Sequence, residues 1–212
     1  MKFDAAASVL LLIDIQQGFC GTERASGIKI NREPLLPAVE GAAKLLAVAR
    51  ETKIPVIYTS MAFSPDYKDG GVLTSDLRPN LKARGELRRD TKDAEIMPEI
   101  APLPGEKIIY KQRYSAAINT DLVFWLRSRG RYCVIVGGVT TGMCVESTVR
   151  DLAQMDFHMF VVPEACGDLN PDTHKRAMEV FAFAFGRVVP LEKMIATMRA
   201  GSADIPMEPR HT

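Results

Sequence analysis

Short, uninterrupted apolar runs recur along the chain and predict buried strands. A continuous run, unlike strict alternation, is typical of a strand that is covered on both faces of a parallel sheet. Five such runs cover Ser8 to Ile15, Pro55 to Ser60, Lys107 to Lys111, Tyr132 to Gly137 and His158 to Pro163. A weaker sixth run covers Arg187 to Val189. We predict a strand in each of these segments.

Between the strands, apolar residues recur every three or four positions, which predicts helices with one buried face. The three series with this spacing are Leu35, Val39, Ala42 and Leu46, then Val145, Val149 and Leu152, and then Ala177, Phe181 and Ala184. Asn170-Pro171 has the residue types of an N-cap and a first helical position. Two further helices are predicted over Leu122 to Arg129 and Leu191 to Ala200, each followed by a glycine suited to a helix end.

This alternation predicts a single α/β domain over residues 1–212, with a parallel sheet between two layers of helices. Only the segment 61–106, called the insert below, breaks the alternation. It is long for a connection and rich in charged residues and glycine. Because such long connections often have a role of their own, we expect the insert to be a lid or a subunit contact.

The composition argues against several classes of partner. The formal net charge is +1, and basic residues are interspersed with acidic ones, which indicates neither a nucleic-acid nor a membrane partner. No apolar run approaches the roughly 20 residues that a bilayer span needs. The N-terminus also lacks the features of a signal peptide. We therefore expect a cytoplasmic protein.

Neither a metal nor a nucleotide cofactor is predicted. The three histidines lie far apart and show no ligand spacing: His158, His174 and His211. The glycine-containing stretch from Gly137 to Gly142 lacks both the Walker lysine and the dinucleotide-binding spacing. The four cysteines form no C-x-x-C pair. Cys133 and Cys166 have the character of buried thiols, whereas Cys20 follows the first strand closely enough to border a pocket.

Three reactive side chains lie at predicted carboxyl ends of strands, where ligands bind in open parallel sheets. Asp14 ends the first strand, Lys111 ends the third, and Cys144 opens the helix after the fourth. A helix N-terminus lowers a thiol pKa and favours the nucleophilic thiolate, and a nearby carboxylate can act as its base. Each residue alone also fits an ordinary role, as an inert buried thiol, a turn-capping aspartate or a surface lysine.

Three motifs resemble those of the isochorismatase-like cysteine hydrolases and occur in the order of that family. The nucleophile signature is similar to VIVGGVTTGMCVESTVRDL, from Val134 to Leu152. The first-strand motif is similar to LLLIDIQQGFC, from Leu10 to Cys20, and the lysine motif to YKQRYSAAINTDL, from Tyr110 to Leu122. The combination is far more specific than any one motif and favours a catalytic role for Cys144.

The resemblance implies a Rossmann-like, three-layer α/β/α fold around a six-stranded parallel sheet. It implies an Asp-Lys-Cys catalytic triad, here Asp14, Lys111 and Cys144. It also implies a cis peptide bond between Val139 and Thr140. That bond is expected to turn backbone N–H groups, including that of Cys144, toward the oxyanion of a reaction intermediate.

Two departures narrow the reaction class. Nicotinamidases of this superfamily carry an Asp-x-His metal motif after the second strand, whereas Tyr58 to Phe63 contains no histidine here. Isochorismatases that cleave a vinyl ether generally lack the cysteine. The resemblance therefore points to the amidohydrolase branch, which includes N-carbamoylsarcosine, ureidoacrylate, biuret and maleamate hydrolases. The stretches Lys111 to Ser115 and Cys144 to Thr148 resemble the ureidoacrylate hydrolases most.

We thus expect a cofactor-independent cysteine amidohydrolase that releases ammonia from a small linear amide or ureide through a thioester. The residues expected to contact the substrate are Gln17, Phe19 and Tyr114, together with Arg113, Arg78 or Arg84 for a substrate carboxylate. The insert suggests a homodimer or homotetramer. Two alternatives remain open, an enol-ether hydrolase and a non-catalytic binding or assembly protein on the same fold.

Overall fold

Six parallel strands form the central sheet, as the apolar runs and the family resemblance predict. The structure is a computed structural model that describes residues 1–207. The strands are β1 (Ser8–Ile13), β2 (Val56–Met61), β3 (Lys107–Lys111), β4 (Cys133–Val139), β5 (His158–Gly167) and β6 (Arg187–Val188). Their spatial order is β3-β2-β1-β4-β5-β6. After β3 the chain crosses to the far side of β1, so the strand order reverses between β1 and β4, the position at which open α/β sheets commonly form a ligand crevice.

Helices cover both faces of this sheet. They are α1 (Gln17–Cys20), α2 (Leu36–Glu51), α3 (Pro79–Ala83), α4 (Leu122–Ser128), α5 (Glu146–Gln154), α6 (Pro171–Val180) and α7 (Leu191–Ala200). Residues of α2 and α7 pack in one hydrophobic core, and residues of α4, α5 and α6 pack in the other. The fold is therefore the predicted three-layer α/β/α sandwich.

The first strand shows why an apolar run folds in this way. All six residues of β1 are buried. Successive side chains of a strand point to opposite faces. Leu10 and Leu12 accordingly pack in the core with α2 and α7, whereas Val9, Leu11 and Ile13 pack in the core with α4, α5 and α6. An apolar residue is thus needed at every position from Val9 to Ile13.

The predicted helix ends are confirmed at two places. The Asn170 side chain accepts a hydrogen bond from the backbone N–H of Asp172 at 2.9 Å, which caps α6. Gly201 adopts a left-handed φ of 79° directly after α7. One predicted buried position is wrong, because Ala184 is exposed. It lies in the π-helical turn Phe181–Phe185, whose wider repeat rotates it away from the buried helix face.

The sequence analysis missed a short antiparallel ribbon that joins the two ends of the described chain. Lys2–Asp4 pairs with Ser202–Asp204. Each strand has three residues and no apolar run, so hydrophobic patterning gives no signal for it. No α-helix within residues 1–207 is long and apolar enough to cross a bilayer. His211, one of the three histidines, lies outside the described residues.

The insert lies over the carboxyl ends of the strands and contains little regular structure. Its helical parts are the π-helical turn Leu73–Leu77, α3, and the single 3-10 turns Lys92–Ala94 and Pro98–Ile100. The buried Gln16 fixes it to the end of β1. Its Nε2 donates to the carbonyl oxygens of Asp93, at 2.7 Å, and Met61, at 3.0 Å. The insert is therefore anchored directly beside Asp14.

Candidate active site

Asp14 and Lys111 form a fully buried ion pair at the carboxyl ends of β1 and β3. Asp14 Oδ2 lies 2.7 Å from Lys111 Nζ, and both side chains are 0% exposed. Thr59 of the intervening strand β2 donates its hydroxyl to Asp14 Oδ1 at 2.6 Å. Asp14 Oδ2 makes no well-directed hydrogen bond to any described residue. This oxygen is therefore available to accept a proton from a neighbouring group.

Lys111 is a fixed internal cation and not a surface lysine. Its Nζ donates to the carbonyl oxygens of Arg113 and Tyr114, each at 3.0 Å. Burial alone would lower the pKa of Lys111, because desolvation disfavours the charged form. The interactions of the ammonium group with the Asp14 carboxylate and with the sulfur of Cys144 outweigh that effect, so the pKa of Lys111 is raised. The ammonium group is therefore held in its charged form.

Cys144 lies in the π-helical turn Thr141–Val145, which leads into α5. Its thiol interacts with both Asp14 and Lys111. Its carbonyl oxygen accepts a hydrogen bond from the Thr148 hydroxyl at 2.7 Å, and the same hydroxyl accepts the backbone N–H of Ala116 at 3.0 Å. Thr148 thus connects the cysteine turn to the loop after Lys111, and the three candidate residues share one rigid frame.

The structure corrects the expected direction of the Cys144 pKa. Burial of the thiol raises this pKa above its ordinary value. The positive charge of Lys111 opposes the rise and the charge of Asp14 adds to it, but burial is the largest effect. The helix N-terminus alone had suggested a lowered pKa. The raised pKa favours the thiol form of Cys144, so a base is needed to generate the nucleophile.

The backbone before Cys144 has the geometry that the family resemblance implies. The peptide bond between Val139 and Thr140 is cis. Two side chains hold the turn that follows. Asp168 Oδ2 accepts the backbone N–H of Gly142 at 2.8 Å, and His174 Nδ1 lies 2.9 Å from the hydroxyl of Thr141. The start of the turn is thus held from outside by residues that do not line the cavity.

A cavity of about 480 Å³ lies between these strand ends and the insert, as expected. Thr140 and Cys144 line its floor. The aromatic side chains of Phe19 and Tyr114 also line it. A volume of this size is in the range of pockets that bind small molecules. The buried pair of Asp14 and Lys111 lies behind Cys144, and only the cysteine of the candidate triad is exposed to the cavity.

Residues 8–193 match the family model described as the isochorismatase domain. The chain belongs to the isochorismatase family. The matched region contains all six strands of the sheet, the candidate triad and the insert. The resemblance of the three sequence motifs is therefore confirmed at the level of the family.

Curated relatives of this isochorismatase-family chain include two amidohydrolases. The ureidoacrylate amidohydrolase RutB of Methylorubrum extorquens is 30% identical over 186 residues, which cover 81% of this chain and 74% of the relative. The maleamate amidohydrolase of Pseudomonas putida is 30% identical over 191 residues, which cover 90% of this chain and 86% of the relative.

Solved structures support the family fold. A cysteine hydrolase from Pseudomonas syringae pv. phaseolicola superposes with a TM-score of 0.84 at 26% identity, and the match covers 94% of this chain and 95% of that one. N-carbamoylsarcosine amidase from Thermoplasma acidophilum has a TM-score of 0.69 at 21% identity, with 87% and 96% covered. This second similarity concerns the fold alone.

Only some of the residues that the sequence analysis predicted to contact the substrate line the cavity. Phe19, Tyr114, Arg78 and Arg84 line the cavity, whereas Gln17 and Arg113 do not. Arg113 Nη1 instead donates to three backbone carbonyls, those of Asp69, Gly70 and Gln112. Through Asp69 and Gly70, its guanidinium holds a loop of the insert. Gln17 belongs to α1, and its backbone N–H donates to Glu95.

Four residues near the site were missed by the sequence analysis. Gln16 and Thr59 tie the end of β1 to the insert and to β2, and both are fully buried. Arg24 and Glu86 form an ion pair on the cavity wall. Gln16 is indistinguishable from Gln17 by residue type, and Arg24 and Glu86 are separated by about sixty positions in irregular segments. No local pattern signals any of these roles.

Proposed function

We propose that this protein is a cysteine-dependent amidohydrolase that cleaves a C–N bond of a small linear amide or ureide and releases ammonia. The observation that carries the proposal is the buried pair of Asp14 and Lys111 in contact with a cysteine that lines a small cavity. The two curated relatives described above are named as amidohydrolases, which supports hydrolysis of C–N bonds.

The proposed reaction begins with proton transfer from Cys144 to Asp14 Oδ2, the carboxylate oxygen without a directed hydrogen bond. The thiolate then attacks the carbonyl carbon of the substrate. As the C–N bond breaks, Asp14 returns the proton to the departing nitrogen, which leaves as ammonia. Water, deprotonated by the same carboxylate, cleaves the resulting thioester and regenerates the thiol.

Lys111 and the cysteine turn have supporting roles in this mechanism. Lys111 stabilises the ionised Asp14 and the transient thiolate, because its ammonium group is fixed by two carbonyl oxygens beside both groups. The backbone N–H groups of Thr140 and Cys144 are proposed to stabilise the oxyanion of the tetrahedral intermediate. Such preorganised donors are often the largest electrostatic contribution to acyl transfer.

An ammonia-release screen tests the proposed function. The substrates are carbamoylated amino acids, ureidoacrylate, biuret, maleamate and nicotinamide, and the Cys144→Ala protein is the blank. We expect release from at least one linear amide or ureide by the wild type and none above background by the variant. Absence of ammonia from every compound, or equal release by the variant, would contradict the proposal. A product formed without ammonia from an enol ether would favour the alternative hydrolase reaction.

The proposal includes assembly into a homodimer or homotetramer. The long insert supports it, and so does the exposed face of the edge strand β3. Ile108 and Tyr110 on that face are 36% and 42% exposed, although a three-layer fold usually covers such positions. Light scattering at micromolar concentration should give two or four times the chain mass of 23.4 kDa. A monomer mass would refute this part of the proposal.

A further inference from the structure

A buried glutamate in the insert holds an arginine against the cavity. Glu86 is 2% exposed and lines the cavity, and its Oε2 is hydrogen-bonded to Nη1 of Arg24. Arg24 Nε also donates to the carbonyl oxygen of Gly18 at 3.1 Å. Two of the three guanidinium nitrogens of Arg24 are therefore fixed by the protein. Its Nη2 makes no hydrogen bond to any residue in the described part of the chain.

The other carboxylate oxygen of Glu86 also faces an arginine. Glu86 Oε1 is buried without a hydrogen-bond partner in residues 1–207, and Arg84 Nη1 lies 3.9 Å away from it. That separation is an ion-pair distance and too long for a hydrogen bond. Arg84 is 53% exposed, so its guanidinium is free to adjust. Glu86 is thus placed between a fixed arginine and an adjustable one.

The charges on the cavity wall do not balance. Arg24, Arg78 and Arg84 all line the cavity, and among the lining residues within the described range 1–207 Glu86 is the only acidic one. Asp14 and Lys111 neutralise each other behind the floor. The wall therefore carries a positive excess in a partly enclosed space, where charge interactions are stronger than in bulk water. Such a wall favours an anionic ligand and disfavours a cationic one.

We propose that Arg24 is the residue that fixes the carboxylate of the substrate, and that Glu86 is its positioning residue. The inference rests on the proposed amidohydrolase function and assigns the substrate class as small amides or ureides that carry a carboxylate. Arg24 offers a preorganised donor, so little side-chain entropy is lost on binding. Arg84 completes the contact from the insert. Charge-assisted contacts of this kind give both orientation and affinity.

The test compares two acids with their methyl esters, namely N-carbamoylglycine and maleamate, using ammonia release by the full-length protein. The wild type should prefer at least one acid over its ester by about ten- to hundredfold in kcat/KM, as expected for hydrogen bonds to a charged group. Arg24→Gln should remove most of this preference through a higher KM for the acid, while turnover of the ester changes little. Glu86→Gln should weaken the preference less, because the arginine remains but is no longer fixed.

Two control variants remove a similar ion pair far from the cavity. Arg50→Gln and Glu106→Gln disrupt an arginine–glutamate pair at 2.8 Å that does not line the cavity, and both should retain the full acid preference. Equal loss on acid and ester in Arg24→Gln would indicate a purely structural role and overturn the inference. So would a wild type that prefers the ester or accepts only neutral biuret or nicotinamide. If the wild type releases ammonia from none of the screened compounds, the proposed function itself fails.

Discussion

The floor and the wall of the cavity are built in opposite ways. Behind the floor, Asp14 and Lys111 are fully buried and lie 2.7 Å apart, at the ends of β1 and β3 on either side of β2. On the wall, Arg78 and Arg84 are exposed, and Arg84 Nη1 lies 3.9 Å from Glu86 Oε1. The sheet thus fixes Asp14 and Lys111, whereas the insert supplies side chains that can change without disturbing the sheet. In the proposed function, chemistry and specificity are therefore carried by different parts of the chain.

Of all the changes considered, removal of the Cys144 thiol should reduce turnover the most. Cys144→Ser is expected to reduce kcat to below a few per cent of wild type without loss of the fold, because the serine hydroxyl is far harder to ionise than the thiol. Steady-state ammonia release and circular dichroism measure the two quantities. Cys133→Ser changes a buried cysteine at the opposite end of β4 and should keep most activity. Substantial turnover by Cys144→Ser would refute the nucleophile assignment.

Breaking the internal ion pair should cost both activity and stability. Lys111→Met leaves the Asp14 carboxylate buried without its partner, so the free energy of unfolding should fall by about 3–5 kcal/mol and turnover should be lost. Lys107→Met, on the same strand, removes a pair with Asp121 whose members are 26% and 56% exposed. That change should cost about 1 kcal/mol or less. Urea unfolding measures the free energy of unfolding of both variants. If Lys111→Met and Lys107→Met lowered it by the same amount, the buried pair would be no more important for stability than the exposed pair, which would contradict the prediction.

Most of the floor was predictable from sequence because its residues follow apolar runs. Asp14 and Lys111 stand at strand ends, and parallel strands bring their carboxyl ends to one edge. The direction of the Cys144 pKa was wrong because it depends on burial, which a helix-terminus argument does not include. Periodicity alone supplied the α/β class, and the motifs supplied the family.

The wall was much less predictable, because its residues come from irregular segments. Arg113 was an expected carboxylate ligand, yet its guanidinium binds insert carbonyls. Arg24 lies in the loop after α1 and meets Glu86 only through tertiary packing. Neither fact follows from spacing or residue type. An arginine count identifies candidates, but only the fold decides which guanidinium faces the cavity.

Alkaline pH should lower the stability of the folded protein, because its buried thiols resist ionisation. Burial raises the pKa of Cys20 and of Cys166 to about 12, and it also raises the pKa of Cys144. Unfolded thiols ionise near pH 8.5, so the folded state holds these protons more tightly. Stability is therefore fully present below about pH 8.5 and falls as pH rises toward 12, by up to about 1.4 kcal/mol per pH unit for each group.

Urea unfolding at pH 7, 9 and 10.5 measures this dependence. Cys20→Ala removes one of the titrating groups and should make the decline shallower, whatever its effect on absolute stability. A free energy of unfolding that stays constant or increases over this range would show that the thiols are not protected as the structure indicates.

Removal of metal ions by a chelator should leave the rate of amide hydrolysis unchanged. Asp14 is already engaged by Thr59 and Lys111, and the histidines show no ligand spacing along the sequence. Activity on the best amide should survive prolonged treatment with EDTA or dipicolinate. A loss of activity that zinc or another divalent ion restores would show that the reaction uses a metal ion, which would contradict this prediction.

Trapping the covalent intermediate tests the central claim most directly. The wild type is mixed with its best amide substrate, quenched in acid within the first turnover, digested and examined by mass spectrometry. We predict a mass increase equal to the acyl or carbamoyl group on the peptide that contains Cys144, and its absence from the Cys144→Ala protein treated in the same way. Full turnover with no adduct on Cys144, or with the adduct on another residue, would contradict the proposed mechanism.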